Sequence, residues 1–429
     1  MSHRYRQLTV FIALFVSGFL LFAYILSRSS VTPTDSRSEI QLDESVTRLG
    51  NPLREDGMVG RALNVWDLQV FNGKVYIAGG STVANTGPIN VWAYDPITLT
   101  FDKEYTVDEE AIEHFKVFSE RLYIPAADPR KGDANKFYRK SADGLWQKYE
   151  SDAIKLAHVR DLIKTDNDEI LMVGNNRNLN QIANPSIAIT TDDGVSFQEA
   201  GISKSQLSKV QLIDYNWFFS VFEYQDKIYA ISSLLRDVGN YPGTISVYNP
   251  QTQKFEIDFD LRNDEFIPAN DIGKSTVQQG NYIIYRIWNP LEFQNYLIYP
   301  VRSYSNNKEK YEQAYMNSLG IYFKEKMGVT PKKVELPHNA LGEDILIIDD
   351  ELYVLANKKL QNNKFMIYVY KTESISDKIK WQKVLEFSCN NKARSFEYLN
   401  STFYFGLGQD YGDPLGNSGD LISYEINSL

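Results

Sequence analysis

Seven segments of this 429-residue chain repeat one pattern: apolar residues, a short polar turn, an apolar strand carrying an aromatic, then a loop of small residues. The copies centre on Val70–Ala78, Val117–Ile124, Asn167–Val173, Tyr224–Ile231, Gln279–Ile284, Ile348–Val354 and Leu399–Phe405. Tyr76, Tyr123, Leu171, Tyr229, Ile283, Tyr353 and Tyr404 anchor them at intervals of roughly fifty residues. Each copy reads as a hairpin, because a two- to four-residue polar turn joins two alternating strands. Apolar runs for a third strand follow at Ile89–Tyr94, Lys136–Arg139, Ile187–Thr190, Thr244–Tyr248, Ile321–Phe323, Phe365–Tyr370 and Leu421–Tyr424. A fourth follows six of them, at Thr100–Thr106, Trp146–Tyr149, Phe197–Ala200, Phe255–Phe259, Lys333–Leu336 and Trp381–Phe387. Seven four-stranded antiparallel units at this spacing make an all-β, seven-bladed β-propeller. The last unit lacks a fourth strand, and Ser45–Leu49 supplies it, which closes the ring and removes an open edge. Aromatics at 13% favour the same class, since flat rings pack well on pleated sheets.

Before the repeats, Leu8–Leu26 is uncharged and nearly all apolar. Nineteen helical residues span roughly 28 Å, close to the hydrocarbon thickness of a bilayer. Arg4 and Arg6 precede the run, and Tyr24–Arg28 makes a poor cleavage site. The expectation is an uncleaved signal anchor, with a cleaved signal peptide as its alternative. The organisation is then a cytoplasmic 1–7, a transmembrane helix 8–27, a polar linker 28–45 and a propeller 46–429. The propeller faces the extracytoplasmic side, whether periplasm, lumen or cell surface.

The net charge of -10 argues against nucleic acid as a partner. Cys389 is the one cysteine, so no intrachain disulfide forms, and its apolar setting marks it as a packing residue. Four histidines with no paired spacing argue against a zinc or copper site. Asp410–Asp413 has the oxygen donors of a calcium loop but reads more simply as a turn. No cofactor or metal is expected.

Thr190-Thr191-Asp192-Asp193-Gly194-Val195-Ser196-Phe197 resembles the Asp box of sialidase-like propellers, and Ser141–Trp146 resembles a shortened copy. Tyr94–Thr98 and Tyr248–Thr252 resemble the third-strand turn of kelch-like repeats. The resemblance covers the domain as a style of repeat. It implies a structural part for the Asp-box residues, whose carboxylate and hydroxyl satisfy turn amides while the aromatic packs between blades.

In such a ring the loops joining strands two and three lie at the end where the inner strands begin. They are long, and carry Arg130, Arg177 and Arg236. An insertion from about Trp288 to Tyr315 in the fifth blade adds Trp288, Tyr296, Tyr299, Arg302, Tyr304 and Tyr311. Nine residues before the anchors stand polar side chains: Asp67, His114, Ser220, Lys274, Asp344 and Ser395, with Asp161 shifted by one. The fold gathers these round the axis, either as a solvated rim or as a site. The candidate ligand-binding residues are therefore Asp67, His114, Asp161, Arg177, Arg236, Lys274, Trp288, Arg302 and Asp344. They suit a polar or anionic ligand such as a glycan, since arginine forks bind carboxylates and aromatic faces stack on sugars.

The expected function is a membrane-anchored binding or protein-interaction module. The alternative is a glycan-active enzyme, a sialidase-like hydrolase or a lyase, with carboxylates on the central loop face. A structural subunit of a membrane complex is the third reading.

Overall fold

The structure is a computed structural model. It describes residues 45–426 except 83–85, 131–135, 152–155, 178–182, 203–205, 207–216, 233–244, 259, 261–264, 269, 272–281, 307–314, 362–363, 377 and 410–415. All of these belong to the unit Gln41–Leu429, and the segment Met1–Ile40 lies outside them. Among the described residues no helix is long and apolar enough to cross a membrane, and Leu8–Leu26 is not among them.

The described strands form seven antiparallel sheets, six of them built from consecutive chain segments, and each makes one blade of four strand positions, with the inner position of the fifth filled by two short strands. From inner to outer strand, blade one is Leu68–Phe71, Lys74–Ile77, Ile89–Asp95 and Thr100–Val107. Blades two, three and four begin with Lys116–Phe118, His158–Lys164 and Phe218–Tyr224, and blades six and seven with Leu341–Ile348 and Lys392–Leu399. Inner strands are covered on both faces, so His158–Ile163 is buried throughout, whereas the outer Thr100–Val107 buries only its last residue. The seventh blade is completed by Val46–Gly50, which pairs with Leu421–Glu425 in the register Val46↔Tyr424, Thr47↔Ser423 and Arg48↔Ile422. The ring therefore closes with the N-terminal strand, as the missing fourth strand requires.

Six of the seven inner hairpins turn through two residues that both have positive φ: Asn72-Gly73, Ser119-Glu120, Gln225-Asp226, Gln294-Asn295, Asp349-Asp350 and Asn400-Ser401. That geometry matches the right-handed twist of the flanking strands, and short polar side chains tolerate it best.

The fifth blade corrects the sequence reading. Tyr282–Ile287 pairs with the distal part of Tyr296–Asn306, so it belongs to the inner strand. The hairpin turns instead at Gln294-Asn295, between Leu291–Phe293 and Tyr296–Asn306. Within the expected insertion of about Trp288 to Tyr315, the described Leu291–Phe293 is thus the rest of the inner strand and Tyr296–Asn306 the second strand, while Tyr315 opens the third. The anchor moves from Ile283 to Ile298, and counting back nine residues gives Asn289 rather than Lys274.

At the third blade's outer turn the Thr190 hydroxyl accepts from Gly194 N at 2.8 Å, and Asp192 Oδ1 accepts from Ser196 N at 2.8 Å. Ser196 Oγ also donates to Asp192, and these bonds hold the Asp192 carboxyl down at about 2. Phe197 meets Phe137 of the preceding blade edge to face, with centroids 6.0 Å apart. Asp95 and Asn249 cap their own turns in the same manner, each accepting two backbone N–H groups. Gly194 sits at φ +95, and a Cβ there would stand 2.5 Å from the Tyr149 ring. Gly194→Ala is expected to cost about 1–3 kcal/mol, read as a lower urea midpoint at unchanged slope.

Candidate functional site

Each inner strand carries a polar residue at the same level, and the structure brings these residues to the axis. The expected rim, however, is not solvated. Asp67, His114, Asp161, Ser220, Asp344 and Ser395 are all buried, and most bind the backbone of the following blade. Asp67 Oδ2 accepts from Phe115 N at 2.9 Å, and Asp161 Oδ2 from Val221 N at 3.0 Å. Ser220 Oγ donates to Ile287 O at 2.6 Å. Asp344 Oδ2 accepts from Phe396 N at 3.2 Å, and Ser395 Oγ from Leu68 N at 2.9 Å. His114 Nε2 lies 3.1 Å from Asp161 Oδ1, and Asn289 fills the fifth position with Nδ2 3.5 Å from Asp67 Oδ1. A circumferential belt of side chains thus ties blade to blade. The reason is bulging: several inner strands bulge one residue before the belt, leaving backbone groups that need a partner from next door.

Burial pushes Asp67 up to about 7, helped by repulsion from Asp344. Burial likewise raises Asp344 to about 6, against the pull of Arg302. Glu397 joins them and is raised well above its usual range, first by burial and then by Asp67. Asp161 stays low, because Lys116 and His114 outweigh its burial.

One residue before the belt runs a second column, of which the sequence reading named only Trp288: Trp66, Glu113, Arg160, Phe219, Trp288, Glu343 and Arg394. Its fixed offset of one residue was the available signal. These side chains fill the axis. Glu113 of blade two accepts from Arg286 of blade five at 3.0 Å and from Arg160 of blade three at 3.2 Å, so one carboxylate holds two guanidiniums, one from the next blade and one from across the ring. Burial works to raise the Glu113 carboxyl, but Arg286 and Arg160 together hold it down at about 2. Arg286 and Arg302 are directly opposed in register. Arg286 lies over Phe219 at 4.0 Å, Arg302 over Trp288 at 4.3 Å and Arg394 over Trp66 at 4.6 Å. Trp288 therefore serves as the platform for a guanidinium, and its ring also meets His114 edge to face at 5.7 Å.

From the axis the charge runs outward between blades two and three. Arg160 lies 5.3 Å from the Trp217 ring, on which His158 stacks at 5.1 Å. His158 Nδ1 is 3.2 Å from Asp128 Oδ1. Half-buried Glu110 is raised to about 7 by burial and by Asp128, with Arg130 and Arg160 opposing. Arg130 is exposed at the outer end.

Of the other expected residues, Arg236, Lys274, Tyr311 and Asp410–Asp413 lie outside the described residues, and for Arg177 and Tyr304 only the backbone is described. Among the described residues no three His, Cys, Asp or Glu side chains are placed to hold a metal ion. Cys389 is buried, and burial raises its thiol.

No family model matches the chain. No curated protein matches it either. Solved structures with a similar strand arrangement include an ulvan lyase of a new polysaccharide lyase family, 12% identical over 85% of this chain and 93% of that one, with a TM-score of 0.45. The β-propeller domain of the trilobed protease from Pyrococcus furiosus is 10% identical over 86% and 94%, with a TM-score of 0.42. A Trypanosoma rangeli sialidase is 10% identical over 76% and 53%, with a TM-score of 0.35. No residue role is carried over from them.

Proposed function

We propose that this propeller is a binding module whose axial mouth, on the face where the inner strands begin, takes an anionic ligand of the uronate-bearing glycan class. The Leu8–Leu26 run would tether it to a membrane, with the ring on the extracytoplasmic side. The observation that carries the reading is Arg160, whose Nε has no hydrogen-bond partner among the described residues and whose guanidinium lies 5.3 Å from the half-buried Trp217 ring. A buried N–H is ordinarily paired, so an anionic acceptor beside Arg160 is favoured. Arginine forks suit a carboxylate, and the half-buried Trp217 beside Arg160 offers an aromatic wall.

The test is calorimetric titration of the full-length protein with oligogalacturonate, using a neutral cello-oligosaccharide as control. Wild type is expected to bind the uronate oligomer only. Replacing Arg160 and Arg286 together by lysine keeps the charge but loses the forks. Affinity should then fall by at least about tenfold. Absence of wild-type binding, or equal binding by the double variant, would remove the reading.

A second reading as a glycan-active enzyme draws on Asp67, raised to about 7, since a general acid needs a carboxyl protonated near neutrality. It is the weaker one, because both oxygens of Asp67 face groups of the ring itself. Following oligomer length in the same incubation separates the two, as only the enzyme shortens its ligand.

A further inference from the structure

Arg302 is fully buried, yet its Nε and Nη1 have no hydrogen-bond partner among the described residues. Its Nη2 donates to Arg394 O at 3.2 Å. The carboxylate nearest that group, Glu343, stands 3.9 Å away and is engaged at its other oxygen by Lys392 at 2.9 Å. The Trp288 ring lies against the guanidinium, and Trp288 Nε1 is likewise buried and without a partner among the described residues. Three separate donor atoms are thus left over on two stacked side chains, where buried N–H groups are ordinarily paired.

We infer that Arg302 and Trp288 form a buried site for one small inorganic anion of the halide class at the propeller axis. The donor set selects the occupant. Arg302 Nε, Arg302 Nη1 and Trp288 Nε1 all donate and none accepts, which suits a bare anion. A water there would need acceptors for its own two protons, and Glu343 Oε1 is the single unpaired carboxylate oxygen nearby among the described residues. Size follows from enclosure: Arg302 is 0% exposed and lies against the buried Trp288 ring, whereas Arg160 has the half-buried Trp217 beside it, so a sugar or a large oxyanion is excluded at Arg302. Local charge agrees, since Arg302 and Lys392 flank Glu343 and the Arg394 charge also acts on Arg302. Asp67 and Asp344 also act on Arg302, but each already accepts a main-chain N–H. The site uses neither Arg160 nor Arg286 and stands independently of the glycan reading.

The experiment is thermal melting of the full-length protein in sodium gluconate, chloride or bromide at equal ionic strength, followed by crystals grown in bromide. Tm is expected to rise with the logarithm of chloride or bromide concentration and to stay flat in gluconate. Trp288→Phe keeps the ring but removes the N–H, and should cut the chloride-dependent rise by at least about half. An anomalous bromide peak should lie beside Arg302 Nε and Nη1. Equal melting in chloride and gluconate overturns the inference, as does a chloride effect undiminished in Trp288→Phe. Where that variant does not fold, the wild-type crystal decides, and density for water alone at the site overturns it.

Discussion

A chain beginning at residue 52 is expected to lose its cooperative unfolding transition, while a chain beginning at residue 41 melts within a few degrees of the full-length protein. The shorter chain lacks Val46–Gly50, so Leu421–Glu425 becomes an unpaired edge. It also lacks both side chains that satisfy Asp420, a carboxylate only 1% exposed. Arg48 Nη2 reaches Asp420 Oδ1 at 2.9 Å, and Asn51 Nδ2 donates to the same oxygen at 2.8 Å and to Ser418 O at 2.8 Å. Stripping a buried carboxylate of its partners costs about 3–5 kcal/mol, before any loss of strand pairing. Set against a total stability of about 5–15 kcal/mol, that suffices to abolish a sharp transition. Scanning calorimetry of the two truncations checks it, and a cooperative melt from the chain starting at 52 would contradict the closure described above.

Glu113→Gln carries the second large effect. It leaves Arg160 and Arg286 buried without their shared counter-charge, with an expected loss of about 3–5 kcal/mol. The wild-type pH profile has a matching signature. The folded-state pKa of Glu113 is depressed from 4.5 to about 2, so its stabilisation is present above 4.5 and lost as pH falls toward 2. By linkage that limb amounts to about 3 kcal/mol. Asp67 and Asp344 act with the opposite sign. Their folded values are raised from 3.8 to about 7 and about 6, so their contribution is full below 3.8 and fades as pH rises through that range. Maximum stability is therefore expected in mildly acidic solution. Urea midpoints at several pH values test this: the acid limb should flatten in Glu113→Gln, while the loss of stability between pH 3.8 and about 7 persists. An acid limb unchanged in the variant would rule out the Glu113 account.

The ring itself was legible because hairpins are local. Asn72-Gly73 or Asp349-Asp350 between apolar runs announces a turn to anyone reading along the chain. Blade five misled because Gln279-Gly280-Asn281 looks more like a turn than Gln294-Asn295, although the latter has the positive φ values. The axis was half legible. Counting back from the anchors found the belt positions, but their partners are backbone groups of the next blade, which spacing alone does not expose. The column before the belt looked unremarkable for a related reason. Glu113 and Arg286 are 173 residues apart, and nothing near either one advertises a buried counter-charge.

Closure by the N-terminal strand also sets an order of events during synthesis. Arg48 emerges early, yet its partner Asp420 lies 372 residues downstream. At ribosomal speeds of about 5–20 residues per second, the first strand waits roughly 20–75 s for its mate. Throughout that interval the nascent chain is a partial fan with a lone sticky segment. Premature stops near the C-terminus should therefore yield insoluble protein rather than a slightly shortened one.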